Sequence, residues 1–116
     1  MPMDNLVLTS DQIKEELENN LNQWKFIESK LQTSFKLASF HEALLLIAQI
    51  GSISEELDHH AEIWNLYDQV TLAVWSHDVS GITGRDLDFA KKATGAYQAI
   101  VSRRQLSQSQ TETNPA

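Results

Sequence analysis

Three of the four histidines fall in two short segments, His59-His60 and His77, and Glu55 stands one helical turn before His59. Imidazoles titrate near neutral pH, and a carboxylate beside them completes the usual equipment for moving protons. No serine near them sits in a recognisable nucleophile motif, and the chain has no cysteine. Covalent catalysis is therefore less attractive, and disulfides, thiolate chemistry and cysteine zinc sites are excluded. On spacing alone three readings stay open. The set can be an acid–base site. Glu55-x-x-x-His59 on a helix, joined by His77, can bind zinc. Or the His pair is solvated surface, and His77 caps a strand end through Asp78.

For the two segments to work together, a helix end and a strand end must lie side by side at a sheet margin. Thr9-Ser10-Asp11-Gln12 reads as a capping box opening an amphipathic helix, with Ile13, Leu17 and Leu21 on its apolar side. Trp24–Glu28 and Leu31–Leu37 read as strands joined by a tight turn at Ser29-Lys30. Leu31, Thr33, Phe35 and Leu37 share one face of the second. Ser39 and Glu42 form another capping box. The helix they open is apolar nearly all round, which predicts burial on two sides, the second against another subunit. Gly51 within it predicts close packing, since glycine there costs about 1 kcal/mol against alanine. That helix ends in Glu55–His60. Ile63–Tyr67 and Gln69–His77 are the third and fourth strands, turning at Asp68. Val70, Leu72 and Val74 alternate against Thr71, Ala73, Trp75 and His77. Thr83-Gly84-Arg85-Asp86 opens a last helix with Leu87, Ala90, Ala93 and Tyr97 on its apolar face. Residues 1–8 are expected to be loose and 105–116 disordered, leaving one domain over 9–104. The order α-β-β-α-β-β-α with short connections predicts an α+β fold. Its four-stranded antiparallel sheet has helices packed on one face.

Composition narrows the functions. The chain of 116 residues is one domain, and nine basic against sixteen acidic residues give a net charge of −7. A general nucleic-acid binder and a protein that docks on anionic membranes are both disfavoured, because no excess of lysine or arginine is available. The longest apolar run, Ala43 to Ala48, is far short of a membrane span. The N-terminus lacks the pattern of a signal peptide, so a cytoplasmic location is expected.

The residues Glu55-x-x-x-His59-His60, Trp64-Asn65-x-Tyr67, Ser76-His77-Asp78 and Gly81-Ile82-Thr83-x-x-Asp86 together resemble the pterin-4a-carbinolamine dehydratase family. The resemblance covers about residues 10–100 and includes Trp24-Lys25 and the Phe35/Phe40 region. It implies the same element order and loss of water from a 4a-hydroxytetrahydropterin, giving the quinonoid dihydropterin. It implies no metal and no organic cofactor, the pterin being the substrate. His59, His60 and His77 would handle protons and Glu55 would orient one of them. Asp58, Ser76 and Asp78 would meet the pterin edge, while Asp86, Trp64 and Trp75 would support the site. The resemblance further implies a homodimer or homotetramer. The alternative it carries is a non-catalytic binding protein, such as an assembly factor for ribulose-bisphosphate carboxylase or a dimerisation cofactor of a transcription factor. Ala61 stands where the family usually has proline, which would hold its predecessor extended. Ile63-Trp64 shifts the aromatic position expected after the histidines. Trp75 stands where a small polar residue is usual, on the face of His77, where it narrows the pocket or meets a partner.

Overall fold

A computed structural model of the chain describes residues 6–113. Its elements are α1 (Ser10–Asn20), β1 (Lys25–Ile27), β2 (Lys30–Lys36), α2 (Phe40–Leu57), β3 (Glu62–Leu66), β4 (Gln69–Val74) and α3 (Gly84–Thr113), with a 3-10 turn at His77–Val79 before α3. This is the predicted order. The sheet runs β1-β2-β4-β3 and every pair is antiparallel. In the central pair Leu31 faces Val74 and Phe35 faces Val70.

Period-two alternation decides which sheet face is covered. Leu31, Thr33, Phe35, Val70, Leu72 and Val74 are buried, whereas Gln32, Ser34 and Thr71 on the other face are not. The helices supply Ile13 and Leu17 from α1, Ala43, Leu46 and Ile50 from α2, and Phe89, Ala90 and Ala93 from α3 to one core. Trp24 Nε1 donates to Thr94 Oγ1 at 2.8 Å, and Phe35 stacks on Tyr97 with centroids 4.5 Å apart. Phe89 lies one helical turn from Ala93, on the buried face that the expected pattern left incomplete.

The first predicted capping box forms in full and the second by half. Thr9 and Gln12 exchange two hydrogen bonds at the head of α1. At α2 the Ser39 hydroxyl accepts from the Glu42 N–H, but the Glu42 carboxylate turns to the Ala38 N–H and to Arg104 of α3. Arg104 grips it with two bonds of 2.7 and 3.0 Å. Chiefly through that hydrogen bonding, Arg104 holds the Glu42 carboxyl below its ordinary value of 4.5.

Several boundaries differ from expectation for local reasons. The β1–β2 turn is Glu28-Ser29, both at positive φ (52° and 65°), as a two-residue turn matched to strand twist requires. Lys30 is thereby the first residue of β2. β4 stops at Val74 instead of reaching His77, and Ser76 makes an isolated bridge to Gly81. α3 continues past residue 104 to Thr113, so its backbone is helical where a disordered tail was expected. Extending an existing helix adds one bond per residue and avoids the cost of nucleation. At the other end the Leu8 N–H donates to the Ile82 carbonyl at 2.8 Å, so the segment expected to be loose is tied down at Leu8. Residues 1–5 and 114–116 lie outside the described residues.

On α2, Phe40, Leu44 and Leu45 are each nearly half exposed, so the predicted second side of burial is not met within one protomer. A Cβ on Gly51 would touch nothing within 4 Å; the close packing expected there is likewise absent from this chain's own contacts. Among the described residues no helix is long and apolar enough to cross a membrane.

Candidate active site

α2 ends in a Schellman motif. The His59 N–H donates to the Ser54 carbonyl at 3.0 Å and the Asp58 N–H to the Glu55 carbonyl at 3.3 Å. Asp58 takes the left-handed conformation (φ 49°, ψ 47°), which an aspartate tolerates better than most residues. The reversal sends the adjacent histidines different ways: His59 is buried and His60 is exposed.

His59 reaches the head of α3. Its Nε2 lies 2.5 Å from Asp86 Oδ1. Asp86 is fully buried, and its other oxygen accepts from the Ser76 hydroxyl at 2.8 Å and the Thr83 N–H at 2.9 Å. An ionised carboxylate only accepts, so His59 donates to it as well. His59 Nε2 therefore carries a proton, and Nδ1 is the nitrogen left for a ligand. Because Ser76 spends its one hydroxyl proton on Asp86, the Thr83 hydroxyl donates to Ser76 across 2.9 Å. The position suits a carboxylate, since a helix N-terminus carries partial positive charge. One acidic side chain thus ties the end of α2, the residue before His77, and the start of α3 together.

The remaining groups are held more loosely. His60 Nε2 lies 3.1 Å from Glu55 Oε2, with both side chains mostly in solvent. This spends the carboxylate that the zinc alternative needed beside His59. Among the described residues no three His, Asp or Glu side chains gather as a metal ligand set. His77 opens the 3-10 turn, and its ring stacks on Trp75 with centroids 4.0 Å apart and planes 23° from parallel. The side-by-side placement expected from alternation is thus present although the strand has ended. The loop is closed at its base by two bonds between Ser76 and Gly81, 2.8 and 3.2 Å long. Asp78 accepts from Arg85 Nη2 at 2.8 Å. That hydrogen bond, more than any other influence, holds the Asp78 carboxyl below its ordinary value, with a smaller pull from His59.

The expected site residues thus sort by place. His59, Ser76 and Asp86 form the buried network; Ser76, expected at the ligand edge, is fully buried and serves Asp86. Glu55, Asp58, His60, His77 and Asp78 are exposed around it. Trp64 lies away from the network, on β3 opposite Thr71, lining a cleft of about 300 Å³ with Gln32, Glu62 and Ala73. Three residues contribute beyond the expected site set, Thr83 among them, which the sequence placed only at the opening of the last helix. Thr83 is the cap of α3 with Asp86 at its third position, a capping-box spacing that sequence can reveal. Arg85 in the first turn of a helix opposes the helix dipole, a mismatch that signals a nearby acid. Lys30, whose Nζ stands 4.3 Å from the centre of the Trp75 ring, left no local signal.

The chain is similar to known proteins of one family. The family model for pterin 4 alpha carbinolamine dehydratase matches residues 7–96. A relative from Prochlorococcus marinus, whose name places it among the pterin-4-alpha-carbinolamine dehydratases, is 40% identical over 89 residues, covering 77% of this chain and 92% of that protein. A similarly named relative from Sulfolobus acidocaldarius is 32% identical over 85 residues, covering 73% and 92%. The crystal structure of a transcriptional coactivator/pterin dehydratase from Brucella melitensis superposes with a TM-score of 0.75 at 29% identity, covering 79% of this chain and 99% of that one. The chain belongs to the pterin-4a-carbinolamine dehydratase family, a family of hydro-lyases.

Proposed function

We propose that this protein removes water from a 4a-hydroxytetrahydropterin, giving the quinonoid dihydropterin, by histidine acid–base catalysis. The hydroxyl on C4a leaves as water after receiving a proton, N5–H gives up its proton, and a C4a=N5 double bond forms. One imidazole in the acid form and one in the base form meet both demands; turnover leaves the two forms exchanged, and proton exchange with solvent resets them. The observation that carries the reading is the Asp86 carboxylate bonded to His59 on one side and to Ser76, the neighbour of His77, on the other. It draws the two histidine segments to one margin of the fold.

In this reading His59 is a rigid partner presenting Nδ1. His60 and His77 exchange protons with solvent, and Glu55 orients His60. Asp58 and Asp78 offer carboxylate oxygens to the amino and N–H groups of the pterin ring. Neither step draws on a cofactor. The reading also has copies of the chain assemble in the cytoplasm through α2, where Phe40, Leu44 and Leu45 wait for cover; a single-protomer mass in sedimentation would contradict that part. The activity is tested by following absorbance of freshly generated 4a-hydroxytetrahydropterin. Dehydration faster than the uncatalysed rate is expected, and a folded protein that leaves the rate unchanged contradicts the proposal.

A further inference from the structure

His59 and His60 are each oriented by a carboxylate, and each gives a ring nitrogen to it. His77 is fixed differently, by its face: its ring lies 4.0 Å from the Trp75 ring and within 23° of parallel. We propose that Trp75 is a positioning residue for His77, setting the plane of the imidazole while leaving both ring nitrogens without a hydrogen bond among the described residues. The proposal rests on the reading of His77 as a proton-transfer group. A stack occupies the face of an aromatic ring, whereas the imidazole nitrogens exchange protons in the ring plane. A residue that must take and give protons in one cycle keeps both options under a stack and loses one under a carboxylate.

The indole is itself secured. It is only partly exposed and packs against the core, and the Lys30 ammonium stands 4.3 Å from its ring centre. Lys30 is anchored in turn to Glu62 at 3.1 Å. A line of contacts therefore runs from Glu62 on β3 through Lys30 on β2 to Trp75 after β4, and so to His77. Glu28, Ser29, Lys30, Trp75 and Ser80 line a cleft of about 330 Å³ beside this line. Without the stack an exposed histidine at the start of a loop would sample several rotamers, and misplacement of a reacting group by about 1 Å can cost as much as about 100-fold in rate.

The test compares Trp75→Leu and Trp75→Phe, each made alone and with His77→Ala, by kcat and KM on freshly generated 4a-hydroxytetrahydropterin and by the NMR signals of the His77 ring. Trp75→Leu is expected to lower kcat about tenfold or more with KM changed less than about threefold, as lost alignment requires. Trp75→Phe, which keeps an aromatic face, should stay within about threefold of the wild type. In the His77→Ala background Trp75→Leu should cost less than about twofold further, because the group it aligns is gone. The His77 ring protons should lie upfield in the wild type and move downfield in Trp75→Leu. The proposal is overturned by unchanged kcat in Trp75→Leu, by an equal loss with and without His77, or by ring signals that do not move. A wild type that dehydrates nothing while those signals do move defeats the function proposed above and with it any catalytic role for the stack.

Discussion

The histidine ending α2 and the histidine opening the 3-10 turn sit in opposite surroundings. His59 is buried against a carboxylate with no exposure of its own, which in turn holds Ser76 and Thr83. His77 is in solvent and touches an aromatic face. The difference shows how one small site divides its labour. The buried network fixes where three chain ends meet, and it costs stability if any member is lost, because each remaining polar group would be left unpaired in the interior. The exposed groups stand on that frame with little bound up in folding, and are free to exchange protons.

The sharpest way to break this division is to remove each imidazole in turn. His59→Ala and His77→Ala should both lower turnover by about 10²–10⁴. Only His59→Ala should also lower unfolding free energy substantially, by about 3 kcal/mol, since it strands the Asp86 charge. His77→Ala should lose no more than about 1 kcal/mol, the worth of one aromatic stack; urea unfolding reads both. Asp86→Asn comes next. Its amide puts a donor where Asp86 accepts from His59, Ser76 or the Thr83 N–H, so a loss of about 2–4 kcal/mol is expected in the same measurement. A loss under about 0.5 kcal/mol would mean the network does not organise the fold there.

Smaller effects belong to pairs that solvent reaches. Arg104→Ala should cost about 1 kcal/mol at neutral pH by releasing Glu42. Glu42 has its carboxyl lowered in the folded state, so this stabilisation is present above its unfolded value and fades as pH falls through the folded one. The unfolding midpoints of wild type and variant should therefore converge at acid pH; a constant gap would contradict the assignment. Glu55→Gln should change stability by less than about 0.5 kcal/mol, because the pair with His60 is exposed on both sides.

Much of this was legible in the sequence because it is carried by periodicity and caps. The alternation of Leu31, Thr33 and Phe35 against Val70, Leu72 and Val74 fixed the covered face, and the Thr9 and Ser39 caps marked two helix starts. The histidines and Glu55 could be named from type and spacing. Their division into buried and exposed could not, because it turns on a Schellman reversal at Asp58, where no glycine announces the left-handed residue. Ser76 was expected at the ligand edge because its burial depends on Asp86, ten residues on, and on the loop closing at Gly81. The extent of α3 was missed because polar composition reads as disorder unless the helix it extends is already in place.

The most direct test of the account is dehydration of freshly generated 4a-hydroxytetrahydropterin by wild type and His77→Ala, with the unfolding midpoint recorded on the same samples. The account predicts that the variant loses turnover by about 10²–10⁴ while its midpoint stays close to that of the wild type. A variant as fast as the wild type would contradict it.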